Sequence, residues 1–168
     1  MSDPTGTPAD YAQAFASWRT DTPVPVSLNT RLTLALESVR GLGAVRRQVQ
    51  DFLLASLTAD PVPHASWAAE DAVEQAILVI DELASNALRH GSTPSSLHIA
   101  DQDGRWVVIV TDSAPDRLPT PARERPAGQG GYGLYLIADL TAAHGVHLDT
   151  GRKMVWVSIS KPAPPAGL

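Results

Sequence analysis

The chain has 168 residues, 43% of them hydrophobic and 18% charged, which favours a single domain with a sizeable core. It contains no cysteine, which excludes disulfides, thiolate metal sites and a cysteine nucleophile and is consistent with the cytoplasm. A net charge of −5, with no basic stripe, no long apolar run and no secretory leader, predicts neither a nucleic-acid partner nor a membrane partner.

Residues 1–26 are rich in proline and polar residues and are expected to form a flexible leader, with one short helix around Tyr11 to Trp18. The domain is expected at 27–160, followed by a tail at 161–168. Its first segment, "VSLNTRLTLALE", is typical of a strand. The next, "VRGLGAVRRQVQDFLLASL", predicts a helix that places Val45, Val49, Phe52 and Leu53 on one face.

The remaining segments alternate between helix and hairpin. "AEDAVEQAILVIDELASNALRH" predicts a helix ended by Gly91, and "GLYLIADLTAAHG" one ended by Gly145. "SLHIADQDGRWVVIVTD" predicts a hairpin with Asp103-Gly104 at its turn, and "VHLDTGRKMVWVSIS" a second. This pattern predicts an α+β fold, a two-layer α/β sandwich with a mixed, mainly antiparallel sheet and helices on one face.

Three polar side chains lie on one side of the second long helix. Glu82, Asn86 and Arg89 follow each other at i, i+4 and i+7, opposite an apolar stripe. A solvated face is the ordinary explanation for such residues. Asparagine is, however, unfavourable inside a helix, and Leu78 lies toward the same side. A binding surface is therefore the second explanation.

Two further features suggest a ligand site. Asp112 ends an apolar strand, where it is either a structural cap or an acceptor for an exocyclic amine at a pocket floor. Glycines 128, 130, 131 and 133 precede a helix whose first N–H groups are free to meet an anion. They match G-x-G-x-x-G, but the preceding "TPARERPA" cannot be the strand that a dinucleotide site requires. The segment 113–129 has no periodicity and is expected to act as a lid.

The chain thus has a helix with Glu82 and Asn86, a strand that ends in Asp112, a long loop and a glycine-rich helix start, in that order. This order of motifs resembles that of the GHKL (histidine-kinase-like) ATPases. "DELASNALRHG" and "GYGLYLIADLTAAHGV" resemble in particular the anti-sigma-factor serine/threonine kinases, and the resemblance extends over about residues 30–160. It implies the Bergerat ATP-binding fold, with ATP and Mg²⁺ as cofactors. It also implies a sigma factor, an antagonist protein or both as partners, and a homodimer, which is common in that family.

The resemblance also implies residue roles. Glu82 would be the general base, Asn86 the Mg²⁺ ligand, and Arg89 and His90 would lie near the phosphates. Asp112 would accept a hydrogen bond from the adenine amino group, and Ala114 would lie beside the base. The lid base and the phosphate-facing helix start would comprise Gly128, Gly130, Gly131, Gly133 and Leu134.

The chain departs from the family at two points, so two functions are expected. The family's Asp-x-Gly-x-Gly box reads Asp112-Ser113-Ala114-Pro115-Asp116 and lacks both glycines, and Met154 is expected where the family often has a threonine near adenine. An intact Glu82 favours a kinase that phosphorylates a serine of an antagonist. The altered glycine box favours a non-catalytic nucleotide-binding or degenerate GHKL module that regulates a partner by binding alone.

Overall fold

The computed structural model describes residues 8–25, 28–121 and 133–163. Within these ranges five strands form one sheet in the order β1-β2-β3-β5-β4. The strands are β1 (Thr30–Leu36), β2 (Ser95–Gln102), β3 (Arg105–Asp112), β4 (Ala143–Asp149) and β5 (Arg152–Ser160). The helices are α1 (Pro8–Ser17), α2 (Leu42–Thr58), α3 (Ser66–His90) and α4 (Gly133–Leu140), with a 3₁₀ turn at Val39–Gly41.

Both predicted hairpins are present, and left-handed residues make their turns. Asp103 and Gly104 have φ of 53° and 75° between β2 and β3, and Gly151 has φ of 72° between β4 and β5. Such turns match the right-handed twist of the paired strands. All four strand pairings are antiparallel.

The core lies between one face of the sheet and helices α2, α3 and α4. Alternate strand residues enter it, and the register aligns Val108 with Val157 and Val110 with Val155 across β3 and β5. Val49 and Leu53 of α2 are buried, as predicted from the apolar face of that helix. The predicted α+β two-layer sandwich is confirmed.

A flexible leader was expected at residues 1–26, of which the structure describes residues 8–25. The expected short helix is present as α1, and the Trp18 side chain after it is 1% exposed and stacks on the His144 ring at 4.4 Å between centroids. Asp21 forms a parallel bridge with Val146, and the Trp156 indole N–H donates to the Thr22 carbonyl at 3.0 Å. Over residues 17–22 the segment is therefore part of the packed unit.

The helix predicted to run to Gly145 ends earlier. Helix α4 stops at Leu140, and β4 begins at Ala143, so Gly145 lies inside a strand. A Cβ at Gly145 would lie 2.7 Å from the Trp156 ring. The glycine is required by this aromatic contact and does not cap a helix. Among the helices of the described residues, none is both long and apolar enough to cross a membrane.

Candidate nucleotide site

One cavity opens between the C-terminal half of α3, the ends of β3 and β5, and the start of α4. Its volume is about 320 Å³, which lies at the lower end of the range for small-molecule pockets. The described residues that line it are Leu83, Asn86, Ala87, Arg89, His90, Val110, Asp112, Arg117, Leu118, Pro119, Thr120, Leu134, Lys153 and Val155. Of the predicted site residues, the cavity therefore brings together Asn86, Arg89, His90, Asp112 and Leu134.

A buried ion pair lies at the floor of this cavity. The register places Asp112 opposite Lys153 across β3 and β5, and the two residues are only 2% and 4% exposed. The lysine Nζ lies 3.4 Å from Asp112 Oδ2 and also donates to the carbonyl of Arg117. Asp112 Oδ1 accepts the Ala114 N–H at 2.9 Å. Asp112 is thus held by a cation on one oxygen and by the backbone on the other.

Sequence reasoning missed Lys153. Burial lowers the pKa of Lys153 below its ordinary value of 10.5, while the charge of Asp112 and the hydrogen bond to it act in the opposite direction. The signal was the alternation of Val155, Val157 and Ile159 into the core, which places Lys153 on the same face. The expectation for Met154 was wrong, because Lys153 and Val155 line the cavity and Met154 does not.

Gly91 brings the end of α3 onto the end of β3. It is the C-cap of the helix, as predicted, and its N–H donates to the Ala87 carbonyl at 3.0 Å. Its φ of −90° is one that any residue adopts. A Cβ at this position, however, would lie 2.5 Å from the Ala87 oxygen and 2.6 Å from Asp112 Cγ. The missing side chain therefore allows the helix and the carboxylate to approach.

The cavity is cationic although the chain is acidic. Arg89, Arg117 and Lys153 line it together with a single carboxylate, that of Asp112, while the chain carries a formal charge of −5. Arg89 and Arg117 are exposed, and Asn86 on the same wall is half-buried. The apolar lining and the buried Asp112 are suited to a flat base, and the exposed cations to an anionic group.

The remaining predicted site residues lie outside the cavity lining or outside the described residues. Glu82 packs against the start of α4, since a Cβ at Gly133 would lie 2.1 Å from Glu82 Oε2. Gly133 directly precedes the lining residue Leu134, and neither Gly133 nor Glu82 is among the residues that line the cavity. Ala114 is buried beside Asp112 without lining the cavity. Gly128, Gly130 and Gly131 lie outside the described residues, as do 122–129 of the expected lid.

The side chains that line the cavity suit a metal ion that takes most of its ligands from water and from a bound phosphate group. Over residues 8–25, 28–121 and 133–163 no group of three or more histidine, cysteine or acidic side chains could hold a metal ion. Magnesium usually keeps several waters and phosphate oxygens, so one neutral oxygen such as that of Asn86 is a fitting protein ligand.

Comparison with known proteins identifies the family of the chain. The family described as histidine kinase-like ATPase domain matches residues 39–159. The solved RsbU and RsbW domains of Rv1364c from Mycobacterium tuberculosis are 20% identical, with a TM-score of 0.53. That match covers 79% of this chain and 33% of the other, so this chain spans about a third of that relative and the likeness shows the fold alone.

The histidine kinase AdeS from Acinetobacter baumannii is 13% identical, with a TM-score of 0.40 over 91% of this chain and 76% of that one. No curated protein matches the chain. The family match covers most of the chain, and its description as an ATPase domain implies ATP binding. The chain therefore belongs to the histidine kinase-like ATPase domain family.

Proposed function

We propose that this protein is a cytoplasmic, Mg²⁺-ATP-dependent serine/threonine kinase of the anti-sigma-factor type. It transfers the ATP γ-phosphate to a serine of an antagonist protein and, as a homodimer, holds a sigma factor as its second partner. Membership of the family supports ATP as the nucleotide. The resemblance of "DELASNALRHG" and "GYGLYLIADLTAAHGV" to the anti-sigma-factor kinases supports the finer assignment.

One observation carries the proposal. A single cavity combines apolar side chains and the buried carboxylate of Asp112 with the half-buried Asn86 and the exposed Arg89. We assign the part of the cavity beside Asp112 to adenine, whose amino group would donate a hydrogen bond to the Asp112 carboxylate. We assign the part beside Asn86 and Arg89 to the phosphates. Phosphoryl transfer depends on positioning and charge neutralisation more than on covalent help from the protein. Arg89 and Arg117 supply charge, and His90 lies beside them.

Glu82 is the proposed general base. Its carboxylate lies at Gly133, where α4 begins, and the first N–H groups of a helix favour phosphate oxygens. A serine hydroxyl placed there would lose its proton to Glu82 while its oxygen attacks the γ-phosphorus. The bond from that phosphorus to the bridging oxygen of the β-phosphate breaks, and ADP leaves. Asn86 would hold Mg²⁺, which supplies positive charge to the phosphates when bound.

The second candidate function is a non-catalytic module that binds nucleotide and regulates a partner by binding alone. Two observations favour it. Glu82 does not line the cavity, and the segment Asp112-Ser113-Ala114-Pro115-Asp116 lacks both glycines of the family's box. Both candidates require ATP binding, and they differ only in phosphate transfer.

Transfer of labelled γ-phosphate to a candidate antagonist separates the two. We expect Glu82→Ala to lower the transfer rate at least about a hundredfold, the usual effect of losing a general base, while ATP still binds. Glu74→Ala, on an exposed position of the same helix, is the matched control and should keep the full rate. Binding of ATP without transfer to any antagonist would favour the module instead.

A further inference from the structure

We propose that Lys153 is a base-reading residue that donates a hydrogen bond to N1 of adenine while Asp112 accepts one from the N6 amino group. The pair would then read two adjacent positions on the Watson–Crick edge of the base directly. This inference rests on the proposed binding of ATP in the cavity and adds a specificity-determining residue to it.

Lys153 has the donor that this role needs. A lysine ammonium carries three N–H donors. Two of them are directed at Asp112 Oδ2 and at the Arg117 carbonyl. Among the described residues, the third N–H donor has no assigned acceptor. Asp112 keeps acceptor capacity, because each carboxylate oxygen offers about two lone pairs, and Oδ1 and Oδ2 each have one described partner. Both residues line the cavity.

The two groups also have a suitable spacing and fixed positions. The distance of 3.4 Å between Nζ and Oδ2 places a donor and an acceptor side by side, as N1 and the N6 amino group are on adenine. Cross-strand pairing fixes both backbones, and the Ala114 N–H fixes the carboxylate. A base can therefore meet a preformed pair without ordering flexible side chains, which is the costly step in weaker sites.

The order of donor and acceptor gives the pair its selectivity. Adenine presents a donor at position 6 and an acceptor at position 1, and hypoxanthine presents the reverse. With Asp112 at position 6 and Lys153 at position 1, adenine satisfies both protein groups. Hypoxanthine in the same pose would place its carbonyl oxygen against the carboxylate and its N1–H against the ammonium. Both contacts would be repulsive, so inosine nucleotides are disfavoured.

Calorimetric titration of the unmodified protein with nucleotide analogues provides the test. In 1-deaza-ATP a C–H replaces N1 and removes the acceptor, while the N6 amino group and the phosphates remain. We expect 1-deaza-ATP to bind about tenfold or more weakly than ATP, the usual loss for a hydrogen bond to a charged group. ITP should also bind more weakly than ATP.

Variants at position 153 show whether this difference comes from the lysine. Lys153→Met removes the donor and should bind ATP and 1-deaza-ATP equally, whereas Lys153→Gln keeps an N–H donor and should retain part of the difference. Arg152→Met changes the adjacent exposed residue and should keep all of it. A purely structural clamp would alter affinity for both nucleotides alike, so the ratio of the two affinities identifies base reading.

The possible failures are distinguishable. An unmodified protein that binds no adenine nucleotide would overturn the proposed function, and this inference with it. Equal affinity of the unmodified protein for ATP and 1-deaza-ATP would overturn the inference alone. The same holds if ITP binds more tightly than ATP, or if Lys153→Met keeps the full difference. If Lys153→Met does not fold, Lys153→Gln and the titrations of the unmodified protein still show whether Lys153 reads the base.

Discussion

Strand β5 has a buried lysine at each end, and the two lysines are held differently. Lys161, which follows the strand, is 5% exposed on its side chain and meets two carboxylates, Asp60 at 3.1 Å and Asp101 at 2.6 Å. It also lies over the Trp106 ring, 5.9 Å from the centroid. Lys153, near the start of the strand, meets one carboxylate and lines a cavity.

The difference indicates which lysine serves the structure and which is available to a ligand. Lys161 is paired with two carboxylates and does not line the cavity at the C-terminal half of α3. Lys153 pairs with one carboxylate, that of Asp112, and lines the cavity, so its ammonium is within reach of a molecule bound there. Burial alone therefore does not separate the two lysines, whereas a position in the cavity lining does.

The largest effect should come from breaking the cavity pair. Lys153→Met leaves Asp112 buried without its cation, and we expect it to lower the free energy of unfolding by about 3 kcal/mol. The double variant Asp112→Asn/Lys153→Met removes both charges and should recover most of that loss. Urea denaturation measures both values. A double variant no more stable than the single one would contradict the ion-pair explanation.

A smaller loss is expected at the other end of the strand. Lys161→Met should lower the free energy of unfolding by about 2 kcal/mol, because Asp60 and Asp101 are 25% and 24% exposed and water can partly replace the lysine. The affinity for ATP should not change. A loss of ATP affinity here would show that the two ends of β5 are not independent.

Asn86 tests the part of the cavity that we assign to the phosphates. We expect Asn86→Ala to weaken binding of ATP about tenfold, or about 1.4 kcal/mol, in the presence of Mg²⁺. Without Mg²⁺ the variant and the unmodified protein should bind ATP equally. Calorimetry in Mg²⁺ and in a chelator measures both. An equal loss in the two conditions would place Asn86 against the nucleotide itself and not against the metal.

The smallest effect concerns pH at the Lys161 end. Burial acts to raise the pKa of Asp60, but hydrogen bonds from His64 and Lys161 and the charge of both partners together lower it below 3.8. Because the folded pKa is lowered, this stabilisation is present above pH 3.8 and is lost as pH falls through the folded pKa.

We therefore expect Asp60→Asn to cost about 1 kcal/mol at neutral pH. Its urea midpoint should approach that of the unmodified protein as the pH falls below 3.8 and through the folded pKa of Asp60. A gap that stays constant, or that widens with acid, would mean that the partners of Asp60 do not stabilise its charged form.

The sequence predicted the elements that depend on neighbouring residues. The hairpin turn at Asp103-Gly104 follows from left-handed backbone positions, and the polar pole of α3 follows from helical period, so Asn86 and Arg89 were assigned to one wall. Glu82 shares that pole but meets α4 and not the cavity. Its distance from the lining depends on how two helices pack, which the period of one helix does not specify.

Features that depend on distant pairing were missed. Trp18 was placed in a leader, and its burial depends on His144, more than a hundred residues away. Lys153 could not be recognised as the partner of Asp112 before the register of β3 with β5 was known. Gly145 looked like a helix cap because a glycine that accommodates an indole ring has the same local sequence signal as one that ends a helix.

The bridge between Asp21 and Val146 has a practical consequence for expression work. The family match begins at residue 39, and a fragment started there would lack the backbone that meets the outer rim of β4. It would also lack Trp18, whose ring stacks on that of His144. Such a fragment should be prone to self-association through unpaired amides, so start sites for cloning are better chosen upstream of helix α1.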